Sequence, residues 1–405
     1  MSEWKKVRLG ELCDFINGGA WSDKEYAPEG IPVLKVTNCK NSGFSLSELS
    51  YLPHSLEQKY IQNKLQRNDV IIATVGSHPN LVNSSAGRSV IVNSFVEGFY
   101  LNQNAVCIRT KDEEILDQLF WGYYSKYYLF QNYIQMRGKG AANQMRIAIS
   151  AIKNYPMPLP PINVQRHIAS ILSRYDSLIE NYQKQIKLLE EAARRLYKEW
   201  FIDLRFPGHE NTKIVDGVPE GWEKKSIGDI GEYLNGFAFK PSDWQDLGKP
   251  IIKIKEMGNG VTNDTPRNNG ERVPAKYLIK AGDLLFSWSA TLMVIIWSGE
   301  DGWLNQHLFK VTPAKGINRE FLLQSISNTI VEFQNLTTGS TMKHIQRNKL
   351  DQVFVNVPNA EIMKRYTDIS EKTRSNILSL QSQIRLLTEA RDRLLPKLMS
   401  GEITV

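Results

Sequence analysis

Cysteine is scarce in this chain. Its 405 residues hold three, Cys13, Cys39 and Cys107, widely spaced and confined to the first half. An odd, scattered set does not make a disulfide framework, so reduced thiols and a cytoplasmic location are expected. Histidine is nearly as sparse: the six residues His54, His78, His167, His209, His307 and His344 stand apart, with no partner at metal-ligand spacing. Long apolar runs are missing too. The longest, Leu292 to Trp297, is far too short to span a bilayer. The first residues, MSEWKKVRLGEL, hold no apolar signal core. No metal site and no membrane partner are expected.

Two kinds of catalytic motif are also missing. No GxxxxGK[ST] loop offers backbone amides to a nucleotide phosphate, which excludes a P-loop motor. A methyltransferase acting on exocyclic amines needs a polar residue, two prolines and an aromatic in succession. The single Pro-Pro pair lies in Leu159-Pro160-Pro161-Ile162, with the wrong neighbour on each side. A non-enzymatic role is expected. What remains is ordinary globular material, 41% apolar and 23% charged, with a net charge of +7 that leans toward a polyanionic partner without requiring one.

What the chain does have is a copy of itself. WKKVRLGELCDFINGGAW (Trp4 to Trp21) returns as WEKKSIGDIGEYLNGFAF (Trp222 to Phe239) at a constant offset of 218 residues. GIPVLKV (Gly30 to Val36) matches GKPIIKI (Gly248 to Ile254), and both read as buried strands opened by a proline. Asn68 to Thr74 then matches Gly282 to Ser287, with Asp69 opposite Asp283, and Leu101-Asn102-Gln103 matches Leu304-Asn305-Gln306. By MPLPP (Met157 to Pro161) and VNVPN (Val355 to Asn359) the offset has fallen to 198, so the second copy is 20 residues shorter. Loops absorb such changes cheaply and strands do not. The cores should be alike and the loops different.

A long amphipathic helix follows each copy. Ile168, Leu172, Tyr175, Ile179, Tyr182, Ile186, Leu189, Ala193, Leu196 and Trp200 alternate steps of four and three, the seam of a coiled coil. The equivalent positions 198 residues on are Tyr366, Ser370, Thr373, Ile377, Leu380, Ile384, Leu387, Arg391, Leu394 and Leu398; Ser370, Thr373 and Arg391 break the apolar pattern. Each helix should extend about 55 Å, and the two can satisfy their seams by pairing antiparallel. The expected organisation is a first domain (1–162), a long helix (163–205), a connecting linker (206–221), a second domain (222–360), a second long helix (361–398) and a short tail (399–405). The fold class is α/β (α+β): two homologous domains separated by two helices that form an antiparallel coiled coil.

This order resembles the DNA specificity subunit of type I restriction–modification systems. YKEWFIDLRFPG (Tyr197 to Gly208) with VPEGWEKKSIGDI (Val218 to Ile230) is similar to that family's passage from central helix to second domain. GDLLFSWSATLMVIIW (Gly282 to Trp297) with LNQHLFKV (Leu304 to Val311) resembles one type of its target-recognition domain, and RDRLLPKLMSGEI (Arg391 to Ile403) its C-terminus. The resemblance implies that each domain reads one half of a split double-stranded DNA sequence, while the helices set the spacing. It also implies partners: two modification (methyltransferase) subunits and motor-nuclease restriction subunits. S-adenosylmethionine, ATP and magnesium would then bind those partners and not this chain. The rival reading is a two-headed protein scaffold that does not touch nucleic acid.

DNA recognition needs cations or backbone amides for phosphates and polar side chains for base edges. Loops that align between copies but differ in chemistry are the best candidates. RGKGAANQMR offers Arg137, Lys139 and Arg146 to phosphates and Asn143 and Gln144 to bases; its counterpart TTGSTMKHIQR offers Lys343, His344 and Arg347. TVGSHPN brings Ser77 and His78, SWSAT brings Ser287, Trp288 and Ser289, and Arg88 and Arg272 are further cations. Asn102-Gln103 and Asn305-Gln306 are unchanged between copies, which suits a structural role, since residues reading different half-sites should differ. Tyr182, Tyr197, Trp200 and Phe201 are large enough to anchor a partner subunit.

Overall fold

A computed structural model describes residues 4–40, 43–46, 49–77, 86–141, 144–262, 264–336 and 347–405. The chain forms two compact units, residues 1–181 with 385–405, and residues 182–384.

The first unit is built on a four-stranded antiparallel sheet in the order Cys13–Asn17, Ala105–Thr110, Val70–Ala73, Ser89–Ile91. Its third strand is buried on both faces, because period-two alternation sends its side chains to two different cores. Val70 and Ile72 join Phe120, Trp121 and Phe130 from the helices Gln118–Tyr124 and Tyr128–Gln135. Ile71 and Ala73 join Leu34, Leu65 and Leu101 on the other side. A smaller sheet pairs Ile31–Leu34 in parallel with Tyr100–Leu101 and antiparallel with Ser50–Leu52.

In the second unit the main sheet runs Gly231–Asn235, Leu308–Pro313, Leu284–Ser287, Met293–Ile296, the same order and directions. Leu284 and Phe286 face one core and Leu285 the other. Lys249–Ile252 again has a parallel neighbour, Gly302–Leu304, and an antiparallel one, Arg267–Asn268. Each copy is closed by pairing its first strand with its last: Lys5–Arg8 with Pro156–Leu159, and Glu223–Ser226 with Phe354–Val357.

Two details explain residues that recur. Asp69 accepts from the Gln66 N–H (2.7 Å) and pairs with Arg109 on the next strand (2.6 Å); Asp283 accepts from the Lys280 N–H (2.8 Å) and pairs with Lys310 (2.7 Å). One carboxylate thus pins a turn and a strand in both units. Gly18 and Gly236 recur because a Cβ at either would stand 1.9 and 2.2 Å from the carbonyl oxygens of Asn102 and Asn305. Gly18→Ala should therefore cost about 3 kcal/mol in chemical denaturation, the upper end of overpacking. A variant within 0.5 kcal/mol of the parent, roughly the spread of neutral surface changes, would contradict this close approach.

The first long helix spans Ile162–Tyr197 and continues into a π turn, Lys198–Ile202; the second spans Ala360–Ser400. Within each unit the two run antiparallel. In the first unit, Ile168 and Leu172 share a core with Leu395, Leu398 and Met399. In the second, Tyr197 shares one with Ile362, Met363 and Tyr366. All ten apolar seam positions of the first helix are buried or half-buried, while Arg174, Ser177, Leu178 and Asn181 between them are exposed. Of the polar seam residues of the second helix, Thr373 donates to Ile369 O (3.2 Å) and the other two reach side chains. Ser370 donates to Asn318 Oδ1 (3.4 Å), and Arg391 pairs with Asp176, which also accepts from the Tyr123 hydroxyl (2.7 Å).

The connection 206–221 holds a short hairpin of its own, Ile214–Val215 with Val218–Pro219. Its two turn residues, Asp216 (φ 49°) and Gly217 (φ 77°), are both left-handed, as a tight hairpin turn demands.

Candidate nucleic-acid interface

In the first unit the two sheets present one set of strand ends together. The Asn102 N–H donates to Leu34 O (3.0 Å), Thr74 N–H donates to Asn104 O (2.9 Å), and Ile147 N–H donates to Thr74 O (2.8 Å). The end of Ile31–Leu34, the Asn102-Gln103 turn and the loop after Val70–Ala73 therefore meet. The hairpin Lys139–Ala141/Gln144–Arg146 joins them by pairing Met145–Arg146 with Val75–Gly76. The second unit repeats the core of this arrangement: Asn305 N–H donates to Ile252 O (3.1 Å) and Trp288 N–H to His307 O (3.4 Å).

The hairpin in the first unit concentrates positive charge. Lys139 and Arg146 are exposed and directly opposite each other in register. Like charges so placed repel, unless an anion lies between them. Arg137, just before them, is exposed; its guanidinium lies 3.5 Å from the Tyr133 ring centroid and donates to Tyr133 O (3.0 Å). Among the described residues, none of the three makes an ion pair. Ser77 is half-buried beside this hairpin. In the second unit Arg347 is exposed at the start of a 3-10 turn, Arg347–Gln352. His78, Asn143, Lys343 and His344 lie outside the described residues, as does the side chain of Gln144.

Several candidates are removed by their surroundings. Ser287 is fully buried, and its hydroxyl donates to Thr291 O (2.5 Å) while accepting from Met293 N–H (2.9 Å). Ser289 is also buried, against His307 Nδ1 (3.3 Å). Neither has a face for DNA. Trp288 is half-buried: its indole N–H donates to Asn235 Oδ1 (3.1 Å), and its ring packs near His307 and Phe309. Arg88 donates to Cys39 O (2.6 Å) and braces the segment after Ile31–Leu34. Arg272 is exposed but sits in the turn after Arg267–Asn268, beside the start of Lys249–Ile252 rather than its end.

Three candidate partner anchors are core residues. Tyr197, Trp200 and Phe201 are buried against Phe321, Tyr366 and Trp222 of their own unit. On the π turn, Trp200 meets Tyr366 of the second long helix, and Phe201 beside it packs against Tyr366, Phe321 and Trp222. Tyr182 stays half-buried on the first helix.

Asn102 and Asn305 are buried, and each side-chain amide donates to the next residue, Gln103 or Gln306. They hold the turn where Gly18 and Gly236 approach. The three cysteines are free and buried, which pushes the thiols of Cys13 and Cys39 up to about 12 and that of Cys107 well above its ordinary value. One pair of cations went unnoticed in the sequence. Lys35 and Lys253, at the ends of the two equivalent strands, lie over Tyr26 and Trp244. All four residues keep the offset of 218, which was the available signal.

Two units with one main-sheet topology, equivalent Asn-Gln turns and unlike loops after Val70–Ala73 and Leu284–Ser287 define a duplicated recognition protein. A family model for the type I restriction modification DNA specificity domain matches residues 1–191 and again 219–385, and the chain belongs to that family. The MjaIX type I restriction enzyme specificity subunit of Methanocaldococcus jannaschii is 26% identical over 277 residues, 63% of this chain and 62% of that relative. The putative MjaX type I specificity subunit of the same organism is 22% identical across all of this chain and 94% of its own length. Among solved structures, the S subunit of a type I restriction-modification system from M. genitalium shares the fold (TM-score 0.53, 18% identity, 98% of this chain and 96% of that one). The chain is a DNA-specificity component, a recognition rather than a catalytic subunit, and works with DNA and other subunits. No helix among the described residues is long and apolar enough to cross a membrane.

Proposed function

We propose that each unit reads one half of an asymmetric, bipartite site in duplex DNA. The observation that carries this reading is the contrast within the duplication: the same strand order in the main sheet and recurring Asn-Gln turns, against loops that differ in length and chemistry. A shared scaffold with two different reading surfaces suits a split site whose halves are not repeats. The cations Arg137, Lys139 and Arg146 suit phosphate contacts in the first half-site, and Arg347 in the second. The paired helices set the half-site spacing and offer docking surfaces to two modification subunits in the cytoplasm. S-adenosylmethionine would be held by those subunits, and ATP and magnesium by motor-nuclease subunits; this chain would bind none of them.

Equivalent faces of DNA recur about every 34–36 Å, a distance that helices of this length can bridge. Inserting one helical turn into both helices, near Gln183–Leu189 and Gln381–Leu387, should lengthen the unread gap in the methylated sequence. An active variant that keeps the parental gap would show that the helices do not set the spacing.

A further inference from the structure

Lys35 and Lys253 occupy the same place in the two units. Each follows the central strand of the smaller sheet, Ile31–Leu34 or Lys249–Ile252, and is half-buried. Each ammonium lies over an aromatic ring, 4.5 Å from the Tyr26 centroid and 4.3 Å from that of Trp244. Cation–π contact orients a lysine without neutralising it. Tyr26 is itself fixed by the Trp21 indole N–H (3.0 Å), and Lys35 also donates to Ser50 Oγ (2.8 Å). Among the described residues, neither lysine makes an ion pair. Burial lowers the pKa of Lys253, against the pull of nearby Glu256.

The stretch that carries the ring has otherwise drifted. Lys24-Glu25-Tyr26-Ala27-Pro28-Glu29 became Ser242-Asp243-Trp244-Gln245-Asp246-Leu247, keeping little beyond an acid and an aromatic. The aromatic ring therefore persists where its neighbours do not, and the lysine it faces ends a strand that matches between the copies, GIPVLKV and GKPIIKI. Their place is also specific: the residue before each lysine, Leu34 or Ile252, accepts from Asn102 or Asn305, at the end of the unit that carries the divergent loops.

A group that is the same in both units cannot distinguish two half-sites, but every half-site has the same phosphates. We propose that Lys35 and Lys253 are twin phosphate contacts, one per unit, each held by its ring in a fixed position beside the reading loops. They would set the register of each unit on the DNA backbone and leave sequence to the loops. The inference rests on the DNA-reading function proposed above.

The test uses the full chain assembled with its modification subunits, and two duplexes, one carrying the methylated motif and one scrambled. Lys35→Ala and Lys253→Ala should each lower the slope of log affinity against log salt by about 0.9, and the double variant by about 1.8. The loss should be equal on both duplexes, and Lys35→Arg and Lys253→Arg should restore it. An unchanged slope in the alanine variants would overturn the inference while leaving DNA reading intact, as would a loss confined to the methylated motif. So would a lowered melting temperature with the parental slope, which marks a structural lysine only. A parental complex whose binding does not depend on salt would instead remove the DNA-reading function itself.

Discussion

Glu320→Ala is expected to destabilise the second unit by about 3–5 kcal/mol, the cost of stranding a buried charge. Glu320 opens the helix Arg319–Leu336, and its side chain is only 3% exposed. It accepts from Arg374 Nε (2.8 Å) and Nη2 (3.1 Å) on the second long helix, and from Gln324 Nε2 (2.9 Å). Arg374 is almost as enclosed, with 10% of its side chain exposed. Removing the carboxylate leaves a nearly enclosed guanidinium without its paired partner, and Glu190, close enough only for a through-space attraction, makes no ion pair with it among the described residues. Removing both partners should cost less than the sum of the single losses, because no buried charge then remains. Chemical denaturation of the two single variants and the double one measures this coupling. Additive losses would mean that the pair does not fasten the domain to its helix.

The largest effect on binding should come from the first unit's hairpin. Replacing Arg137, Lys139 and Arg146 together by alanine removes three cations that make no ion pair among the described residues. If each meets a phosphate, the slope of log affinity against log salt should fall by about 2.7. The affinity lost between about 50 and about 200 mM salt would then shrink by roughly 40-fold. All three side chains are exposed, so the fold should be unaffected and the melting temperature close to parental. Parental binding by this variant at every salt concentration would place the DNA elsewhere.

The scaffold could be read from the sequence because its signals repeat. Strands such as Val70–Ala73 and Leu284–Ser287 are short apolar runs that appear twice, and the helical seam persists over many turns. Agreement between two copies of one pattern outweighs the ambiguity of either. The site was harder to read, because short polar side chains give no sign of which way they face. Ser287 and Ser289 look like loop hydroxyls in the sequence, yet the strand Leu284–Ser287 and the return of the chain at Met293 enclose them. Arg88 looks like a free surface cation until the Cys39 carbonyl is found beside it. Tyr197, Trp200 and Phe201 misled for a different reason: size does not tell a partner anchor from a core residue, and Phe321, Tyr366 and Trp222 of their own unit cover them. The Asp216-Gly217 hairpin, by contrast, carried a recognisable turn signal that its short flanking strands obscured.

The duplication implies a protein that offers like scaffolds to its partners and unlike surfaces to its DNA. Mapping methylated bases across the genome of a cell that expresses this chain with its modification subunits tests that most directly. The methylated motif should consist of two unlike short sequences separated by a gap of fixed length and free composition. A continuous motif, or two halves that are inverted repeats of each other, would contradict it.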